Sequence, residues 1–373
     1  MLANLLITAL LPLVMELPPA DPAVPLRQPY AASANGRTAV VYGAGNSIFF
    51  IASTDNARTF SLPVKVAEVN VLALGRHRGP RVTILKDSYL VTAVAGEHLA
   101  SGPHAHGLPS DGNLTAWRSV DQGKTWTRLG VINDVPGAAR EGFHSISADA
   151  EGRLTAVWLD LREKGTKLYS SRSLDGGRTW SKNTMIYASP EGTICECCNA
   201  SIASDAAGGV AVMWRNVLEG SRDFYSATAK DGVHFGAPQK VGAGTWKINA
   251  CPMDGGGLVL RDGQPFSAWR REKDVYFVAP GKPEVRIGSG TDVAMVSTPQ
   301  GIFVSWTETS AANPKEYGIV LASPSRTGGV PENPTLIGVG GAFSSLAALP
   351  DGGIFAIWEE FGRLRMERIR GKQ

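Results

Sequence analysis

The sequence predicts an all-β protein, a β-propeller of four-stranded antiparallel blades, with seven blades favoured and six as the alternative. A turn octapeptide recurs at spacings of roughly 55 residues, which suits one propeller blade. An apolar strand ending in tryptophan recurs independently and continues beyond the last octapeptide. The 373 residues include 43 glycines, 23 prolines and 9 tryptophans. This composition, without long helix-period apolar stretches, is typical of short strands joined by turns.

The octapeptide predicts a hairpin turn within a blade. Its copies are Ser53–Phe60, Ser119–Trp126, Ser173–Trp180 and a degenerate version, Ala229–Phe235. Each copy lies between two alternating strands, which is the pattern of a hairpin. The aspartate at the third position can accept backbone N–H bonds of the turn, and glycine supplies positive φ. The terminal aromatic residue is expected to pack on the blade.

The tryptophan strands extend the repeat to the end of the chain. They end at Trp158, Trp214, Trp269, Trp306 and Trp358, and matching strands lie near Val41 and Val91. Seven units therefore start at about Tyr30, Pro80, His144, Asn199, Gly255, Asp292 and Phe343. The last unit has only three strands. We expect an N-terminal segment, Ala23 to Gln28, to supply the fourth strand and close the ring.

The N-terminal segment predicts export. Met1 to Met15 is almost uniformly apolar, and a Pro-Pro-Ala sequence then precedes Asp21. This pattern favours a signal peptide over residues 1–20, followed by one propeller domain over residues 21–373 in a secreted or periplasmic protein. The apolar run is too short to cross a bilayer comfortably. No lysine or arginine precedes it, so a buried first strand or a misplaced start codon is the alternative.

The charge balance limits the classes of partner. Lysine and arginine number 37 against 34 aspartates and glutamates, a net charge of +3. No basic stretch is long enough to predict a nucleic-acid or membrane surface. We therefore expect a small-molecule, glycan or protein partner, with no nucleic acid and no membrane after signal cleavage.

The octapeptides match the S-x-D-x-G-x-[ST]-W pattern of the Asp box, or BNR repeat, so the chain resembles the sialidase-like superfamily of propellers. The segments Cys195–Cys198 and Cys251–Asp254 resemble those of a bacterial subgroup described only as sialidase-like. The resemblance implies a propeller over nearly the whole chain, but the fold carries many functions. Sialidase propellers have six blades.

Working sialidases also require an acid/base aspartate, a tyrosine nucleophile paired with glutamate, and an arginine in an R-I-P-like segment. Leu26–Pro29 resembles that segment, whereas the loop Gly43–Asn46 has no carboxylate. Tyr317 is the only tyrosine near the C-terminal end of the chain whose predicted loop could hold the nucleophile. Glu141 and Asp254 are the other weak catalytic candidates.

The ligand face is expected opposite the octapeptides, at the starts of first strands and in the loops between second and third strands. The candidate ligand-binding residues on that face are Arg81, His144, Arg162, Arg215, Arg222 and Arg270. Three of them, Arg162, Arg215 and Arg270, follow equivalent tryptophans. We predict that they form one site for carboxylate, sulfate or phosphate. The alternative is that they are solvated loop arginines paired with nearby aspartates.

The four cysteines, Cys195, Cys197, Cys198 and Cys251, stand at the starts of two neighbouring blades. In an exported chain this even number predicts a disulfide between Cys251 and one of the other three. A four-thiolate or copper centre is the alternative. His104 and His106 are weak candidates for a metal site in the long loop Gly96–Gly112.

The sequence thus favours an exported propeller that binds or processes an acidic glycan or other small anion, without a cofactor. A non-enzymatic interaction or assembly propeller with a protein partner is the second hypothesis. An active exo-sialidase, a glycoside hydrolase, is the third, and whether the chain is an enzyme stays open.

Overall fold

The protein is a ring of seven antiparallel β-sheets. The computed structural model describes residues 14–102, 105–310, 312–313, 315–325, 328–331 and 334–369, and these residues contain no helix. The predicted seven-bladed propeller is confirmed. Since no helix occurs in the described part, none there is long and apolar enough to cross a membrane.

The strands of the blades run outward from the axis in chain order. Blade 1 contains β2 (Leu26–Ala34), β3 (Arg37–Ala44), β4 (Ser47–Ser53) and β5 (Val64–Glu68). Blade 2 contains a first strand split into β6 (Val71–Leu72) and β7 (Arg81–Ile84), then β8 (Tyr89–Gly96), β9 (Asn113–Ser119) and β10 (Thr127–Val131). Blade 3 contains β11 (His144–Ala148), β12 (Leu154–Asp160), β13 (Lys167–Ser173) and β14 (Thr184–Tyr187). Blade 4 contains β15 (Ser201–Ser204), β16 (Val210–Arg215), β17 (Phe224–Ala229) and β18 (Gln239–Lys240).

The remaining blades complete the ring. Blade 5 contains β19 (Gly256–Arg261), β20 (Gln264–Arg271), β21 (Asp274–Val278) and β22 (Val285–Ser289). Blade 6 contains β23 (Thr291–Ser297), β24 (Ile302–Thr309), β25 (Tyr317–Ala322) and β26 (Thr335–Val339). Blade 7 contains β27 (Gly341–Ala348), β28 (Ile354–Glu360), β29 (Arg363–Ile369) and the N-terminal strand β1 (Val14–Leu17). First strands of successive blades contact one another, and β27 returns to β2.

The ring is closed by β1 rather than by the expected segment. Strand β1 pairs with β29 from Val14 opposite Glu367 to Leu17 opposite Leu364, and Glu16 forms ion pairs with Arg363 and Arg365. The expected segment Ala23–Gln28 instead leads into β2, where Leu26 pairs with Ala44. Its apolar Leu26 is buried as part of an innermost strand, which an outermost strand would not achieve.

Strand β1 lies inside residues 1–20, which the sequence predicts as a signal peptide. Residues 1–13 of that segment lie outside the described residues. Cleavage after Ala20 would remove β1 and leave blade 7 with three strands. The signal peptide and the start of the domain therefore stay predictions.

The core consists of apolar layers between neighbouring blades. Trp158, Trp214, Trp306 and Trp358, which belong to the repeated tryptophan strands, are fully buried. Tryptophan side chains bury large apolar areas, so they contribute much of the stability of the core. Gly288 and Gly338 in outer strands permit this packing, because a Cβ at either position would overlap Trp306 or Trp358 respectively.

The octapeptides form the predicted turns between third and fourth strands. In the copy of blade 3, Asp175 accepts hydrogen bonds from the N–H groups of Arg178 and Thr179 at 3.0 and 2.9 Å. The Thr179 hydroxyl donates to the same carboxylate at 2.6 Å, and Ser173 donates to it at 2.8 Å. The turn is therefore held by contacts within one short segment.

Candidate functional site

A tight turn of blade 2 reaches across the ring axis. Between β6 and β7, Gly75 and Arg78 exchange backbone hydrogen bonds of 3.0 and 3.1 Å. The two central residues, Arg76 and His77, have φ of 49° and 70°. A two-residue turn with both central φ values positive favours glycine or asparagine. Two non-glycine residues here indicate local strain, which occurs preferentially at functional sites.

Three first strands carry a bulge at equivalent places. The register shifts at Gln28 in β2, Asp292 in β23 and Phe343 in β27, and these residues have φ of 51°, 59° and 54°. A bulge inserts one residue and redirects its side chain. Blades 6, 7 and 1 therefore each direct one side chain toward the turn of blade 2.

These side chains converge on His77. Its backbone N–H donates to Gln28 Oε1 at 2.6 Å, and its Nε2 lies 2.9 Å from Asp292 Oδ1. The Phe343 ring packs edge-on against the imidazole, with ring centroids 5.3 Å apart. Four blades thus fix the position and orientation of one histidine at the axis.

Asp254, which precedes β19, joins this group from blade 5. Its Oδ1 lies 4.0 Å from His77 Nε2 and accepts the Asp292 N–H at 3.2 Å. Its other oxygen lies 3.4 Å from Arg270 Nη1. We call Gln28, His77, Asp254, Arg270, Asp292 and Phe343 the axial cluster.

Burial and charge work against each other at His77. Burial disfavours the charged ring, but the hydrogen bond to Asp292 and the charges of Asp292 and Asp254 raise the pKa of His77 above its usual value. For Asp292, the bond to His77 outweighs burial and lowers the carboxyl pKa. The pair is therefore an imidazolium and carboxylate over a wider pH range than two isolated groups.

Asp254 is shifted in the opposite direction from Asp292. Burial and the nearby charge of Asp292 raise the pKa of Asp254 to about 6. Two carboxyl groups held this close cannot both ionise easily, so one retains its proton to higher pH. The cluster therefore holds both an ionised and a more readily protonated carboxyl.

A third acidic group, Glu359, lies beside the cluster on blade 7. Glu359 accepts hydrogen bonds from Gln28 N and Nε2 at 2.6 and 2.9 Å, and Arg27 Nε lies 3.2 Å from it. Burial raises the pKa of Glu359, against these favourable contacts. The Arg27 side chain remains 42% exposed, so it presents charge to solvent at this edge of the cluster.

Two of the three expected anion-binding arginines come together. Arg215 Nη2 donates to the Arg270 carbonyl at 3.1 Å, and both guanidinium groups lie 5.2 Å from the Trp246 ring. Arg162 instead pairs with Asp160 and Asp134, each at distances below 3 Å. Its partners include none of those of Arg215 and Arg270. Only Arg215 and Arg270 of the three arginines therefore lie together. Arg162 is paired with aspartates, as in the alternative prediction.

Arg81 and His144 are buried beneath the site. Arg81 Nη2 donates to the His77 carbonyl at 2.7 Å and so holds the turn of blade 2. His144 Nε2 contacts Thr92 Oγ1 at 3.1 Å, and burial with the charge of Arg81 lowers the pKa of His144 to about 3. His144 is therefore neutral at physiological pH.

The weak catalytic candidates separate in space. Asp254 belongs to the axial cluster, whereas Glu141 pairs with Arg78 at 3.6 Å, and burial raises the pKa of Glu141. Tyr317 begins β25 and forms no hydrogen bond or ion pair with the axial cluster among the described residues. His106 is exposed and belongs to no metal-ligand group in the described part of the chain, and His104 lies outside it.

The four cysteines are free thiols in the structure, so the predicted disulfide is not formed there. Cys195, Cys197 and Cys198 are buried, whereas Cys251 is exposed. Arg222, a predicted ligand-binding residue, contacts Cys195 instead, with its Nη1 3.2 Å from Sγ. The buried sulfurs contact one another rather than Cys251.

Arg76 and His77 are not among the site residues that the sequence predicts. The signal for them is the segment Gly75–Gly79, in which two arginines and a histidine stand between glycines at the start of a blade. The bulge at Gln28 has no comparable signal, because no local motif there requires positive φ.

No protein-family model matches the chain, and no curated protein matches it. Solved structures with similar folds include an ulvan lyase, a polysaccharide lyase bound to GlcA(1-4)Rha3S. It is 11% identical, with a TM-score of 0.60 over 93% of this chain and 94% of that chain. A protein of unknown function from Dyadobacter fermentans is 14% identical, with a TM-score of 0.56 over 96% and 100%.

The intramolecular trans-sialidase from Ruminococcus gnavus, in complex with oseltamivir carboxylate, is 13% identical, with a TM-score of 0.50 over 92% and 94%. At these identities the likeness shows the fold. The chain therefore shares the β-propeller fold of these structures.

Proposed function

We propose that this chain is an exported Asp-box propeller that binds an acidic carbohydrate over the axial cluster and uses His77 in its processing. The observation that carries the proposal is the convergence of His77, Asp292 and partly exposed arginines from several blades at one end of the axis. Convergent polar groups with shifted pKa values are typical of functional sites.

The arginines around the axial cluster supply the recognition chemistry. Arg76 is exposed at the tip of the turn, and its Nη1 lies 3.5 Å from Met253 Sδ, which orients it across the axis. Arg270 and Arg27 flank the acidic groups and neutralise Asp254 and Glu359 respectively. Guanidinium groups with donors left over bind carboxylate or sulfate in a two-pronged geometry.

The shape of the site suits a glycan lying across the mouth of the channel. The central channel, lined by first strands of all seven blades and by His77, has a volume of about 160 Å³. Drug-sized ligand pockets are roughly 300–1,000 Å³. We therefore expect a saccharide chain to lie outside the channel, over the turn that carries Arg76 and His77, rather than within it.

His77 is the best-placed group for proton transfer. The bond from Nε2 to Asp292 orients the ring and leaves Nδ1 as its second proton site. A carboxylate partner of this kind stabilises the imidazolium that forms when histidine accepts a proton. His77 at the turn tip is thus suited to give a proton to, or take one from, a bound sugar.

The ligands of two similar structures support an acidic substrate. The ulvan lyase is bound to a saccharide of GlcA and Rha3S, and the trans-sialidase is bound to oseltamivir carboxylate. Exo-sialidase chemistry receives less support, because Tyr317 lies apart from the axial cluster and no described tyrosine hydroxyl contacts a glutamate there.

A non-enzymatic interaction propeller is the second candidate. Leu62, Val120 and Leu174 are largely exposed near octapeptide turns of three neighbouring blades. Exposed apolar groups that form a contiguous patch mark protein contact surfaces. Replacing all three with serine would abolish a protein contact and leave glycan binding unchanged.

Calorimetry with glucuronate-bearing and sulfated oligosaccharides, each beside a neutral one, tests the proposal. Loss of one charge-assisted contact costs about 1.5–3 kcal/mol, so Arg76→Ala should weaken binding of the acidic ligand by about 10-fold or more. Arg178→Ala, an exposed arginine on the octapeptide face, is the matched control and should bind like the wild type. Equal binding by Arg76→Ala and wild type would refute glycan recognition at this site. Equal affinity for neutral and acidic oligosaccharides would refute recognition of the acidic group.

The catalytic part is tested separately with His77→Asn. Release of reducing ends from the bound polysaccharide should fall at least about 100-fold in this variant, as expected for loss of an acid/base group. Binding of the oligosaccharide should change much less. If the wild-type protein binds acidic glycan but never cleaves it, the proposed binding function stands and the catalytic role of His77 is refuted.

A further inference from the structure

Three cysteine sulfurs are gathered into one buried group beside the axial cluster. The segment Cys195–Cys198 leads from blade 3 into β15 of blade 4. Cys195 Sγ lies 3.5 Å from both Cys197 Sγ and Cys198 Sγ, and the latter two are 4.0 Å apart. The neighbouring cysteines 197 and 198 thus direct their side chains to the same point as Cys195.

This spacing suits a shared metal ion. Thiolates bound to one zinc ion lie about 2.3 Å from it, so tetrahedral ligands stand roughly 3.8 Å apart. The three observed separations bracket that value. A disulfide instead requires sulfurs about 2.05 Å apart, and it would leave the third thiol unpaired.

Donor groups of other residues contact two of the three sulfurs, those of Cys195 and Cys198. Arg222 Nη1 lies 3.2 Å from Cys195 Sγ, and the backbone N–H of Asp254 donates to Cys198 Sγ at 3.5 Å. Donors of this kind commonly orient metal-bound ligands from outside the coordination shell. The charge of Arg222 also offsets the excess negative charge of three thiolates.

The remaining neighbours of the group are soft or apolar. Val217 and Met253 pack against the three cysteines, and Met253 adopts φ of 53° at this place. Three cysteine sulfurs in apolar surroundings suit soft metal ions, because sulfur ligands select Cu(I) and zinc over hard cations.

We propose that Cys195, Cys197 and Cys198 bind one thiophilic closed-shell metal ion, Zn(II) or Cu(I), as a three-thiolate site. Cys251 is outside this site, since its side chain is exposed and its sulfur does not belong to the group of mutually close atoms that the other three form. The site differs from the four-thiolate centre that the sequence suggests as an alternative to disulfides.

The metal site also has a structural link to the axial cluster. Asp254 donates its N–H to Cys198 Sγ and holds Arg270 and the Asp292 N–H through its carboxylate. An ion that fixes Cys198 therefore fixes the backbone that carries Asp254. Metal binding itself does not depend on any glycan ligand.

Metal titration of the full chain tests the proposal. Protein that has been reduced with a phosphine and freed of metal with a chelator is titrated anaerobically with Zn(II) and, separately, with Cu(I), against chromophoric competitors. We expect one equivalent of at least one ion to bind, and Cys198→Ser to lower its affinity about 100-fold or more. Cys251→Ser is the matched control and should retain wild-type affinity within about threefold.

Two further measurements keep the test independent of folding defects. Co(II) should produce a thiolate charge-transfer band in wild type and Cys251→Ser but not in Cys198→Ser, with circular dichroism checking the fold of each. Zn(II) or Cu(I) should protect three of the four cysteines from iodoacetamide. No stoichiometric binding of either ion, equal loss in Cys251→Ser, or a mapped disulfide to Cys251 in metal-treated protein would overturn the three-thiolate site.

Discussion

The octapeptide turns and the axial cluster are on opposite faces of the same ring, and they are built in opposite ways. In the turn of blade 2, Asp121 is held by Ser119 and Thr125, which are two and four residues away. At the axis, His77 is held by Asp292, which is 215 residues away. The first arrangement is encoded in eight residues, whereas the second exists only when the ring is closed.

The same contrast appears in the carboxyl groups of the two faces. In the turns, hydrogen bonds from Thr125 lower the pKa of Asp121, because local donors stabilise the ionised form. At the axis, burial raises the pKa of Asp254 to about 6. Local motifs therefore make structural carboxylates, and the closed ring makes a carboxyl suited to chemistry.

The largest expected difference between the two faces comes from Arg215→Ala. Arg215 is fully buried, donates to the carbonyls of Arg222 and Arg270 at 2.7 and 3.1 Å, and stacks on Phe224. Its loss leaves buried acceptors without donors, so the free energy of unfolding should fall by about 2–4 kcal/mol in urea titrations.

Arg178→Ala on the octapeptide face is the control for Arg215→Ala. Arg178 is exposed, and its Nη1 donates to the Asp175 carbonyl at 2.8 Å. Its removal should change stability by about 0.5 kcal/mol or less. Similar losses for both variants would remove the distinction between the two faces.

A smaller effect is expected from Asp175→Ala in the turn of blade 3. The carboxylate accepts hydrogen bonds from Ser173, Arg178 and Thr179, so its loss should lower the free energy of unfolding by about 1–2 kcal/mol. Partial burial opposes ionisation, but the bonds from Thr179 and Ser173 lower the pKa of Asp175 to about 2.

The pH dependence of Asp175→Ala follows from that lowered pKa. The advantage of wild type over the variant should be complete above the ordinary value of 3.8 and disappear as pH falls through about 2. Urea titrations at several acidic pH values measure it. An advantage that persists unchanged below pH 2 would show that the turn does not depend on the ionised carboxylate.

The smallest expected effect is the pH dependence of the His77 pair. The pKa of His77 is raised by Asp292 and Asp254 against burial and the charge of Arg81. Its contribution to stability should be complete below the ordinary value of 6.5 and decrease as pH rises through the folded-state pKa. The difference in unfolding free energy between wild type and His77→Asn should therefore shrink by about 1 kcal/mol or less as pH rises. A difference that grows with pH would contradict the assigned pairing.

The sequence predicts the fold much better than the site. Octapeptides such as Ser173–Trp180 and buried strands ending at Trp214 or Trp306 carry their structural meaning in adjacent residues, so the blade number follows from counting them. The position of β1 cannot be counted in this way, because a short apolar segment could pair with the outer strand of more than one blade. Asp254 is predicted as part of the site, since it stands at the start of a blade.

The rest of the site depends on geometry that short-range patterns do not encode. Arg215 and Arg162 follow equivalent tryptophans, yet Arg162 pairs with Asp134 while Arg215 is buried near Trp246. The bulges at Gln28 and Asp292 redirect side chains without a residue type that requires them. Residue identity shows which charges are available, and only the closed ring determines which of them meet.

An acidic saccharide is expected to bind over the axial cluster rather than on the octapeptide face. A crystal structure of the protein with a glucuronate-bearing oligosaccharide distinguishes the two positions. We expect a sugar carboxylate or sulfate within hydrogen-bond distance of Arg76 and a sugar ring beside His77. An oligosaccharide ordered on the octapeptide turns, with the surroundings of His77 unchanged, would contradict it.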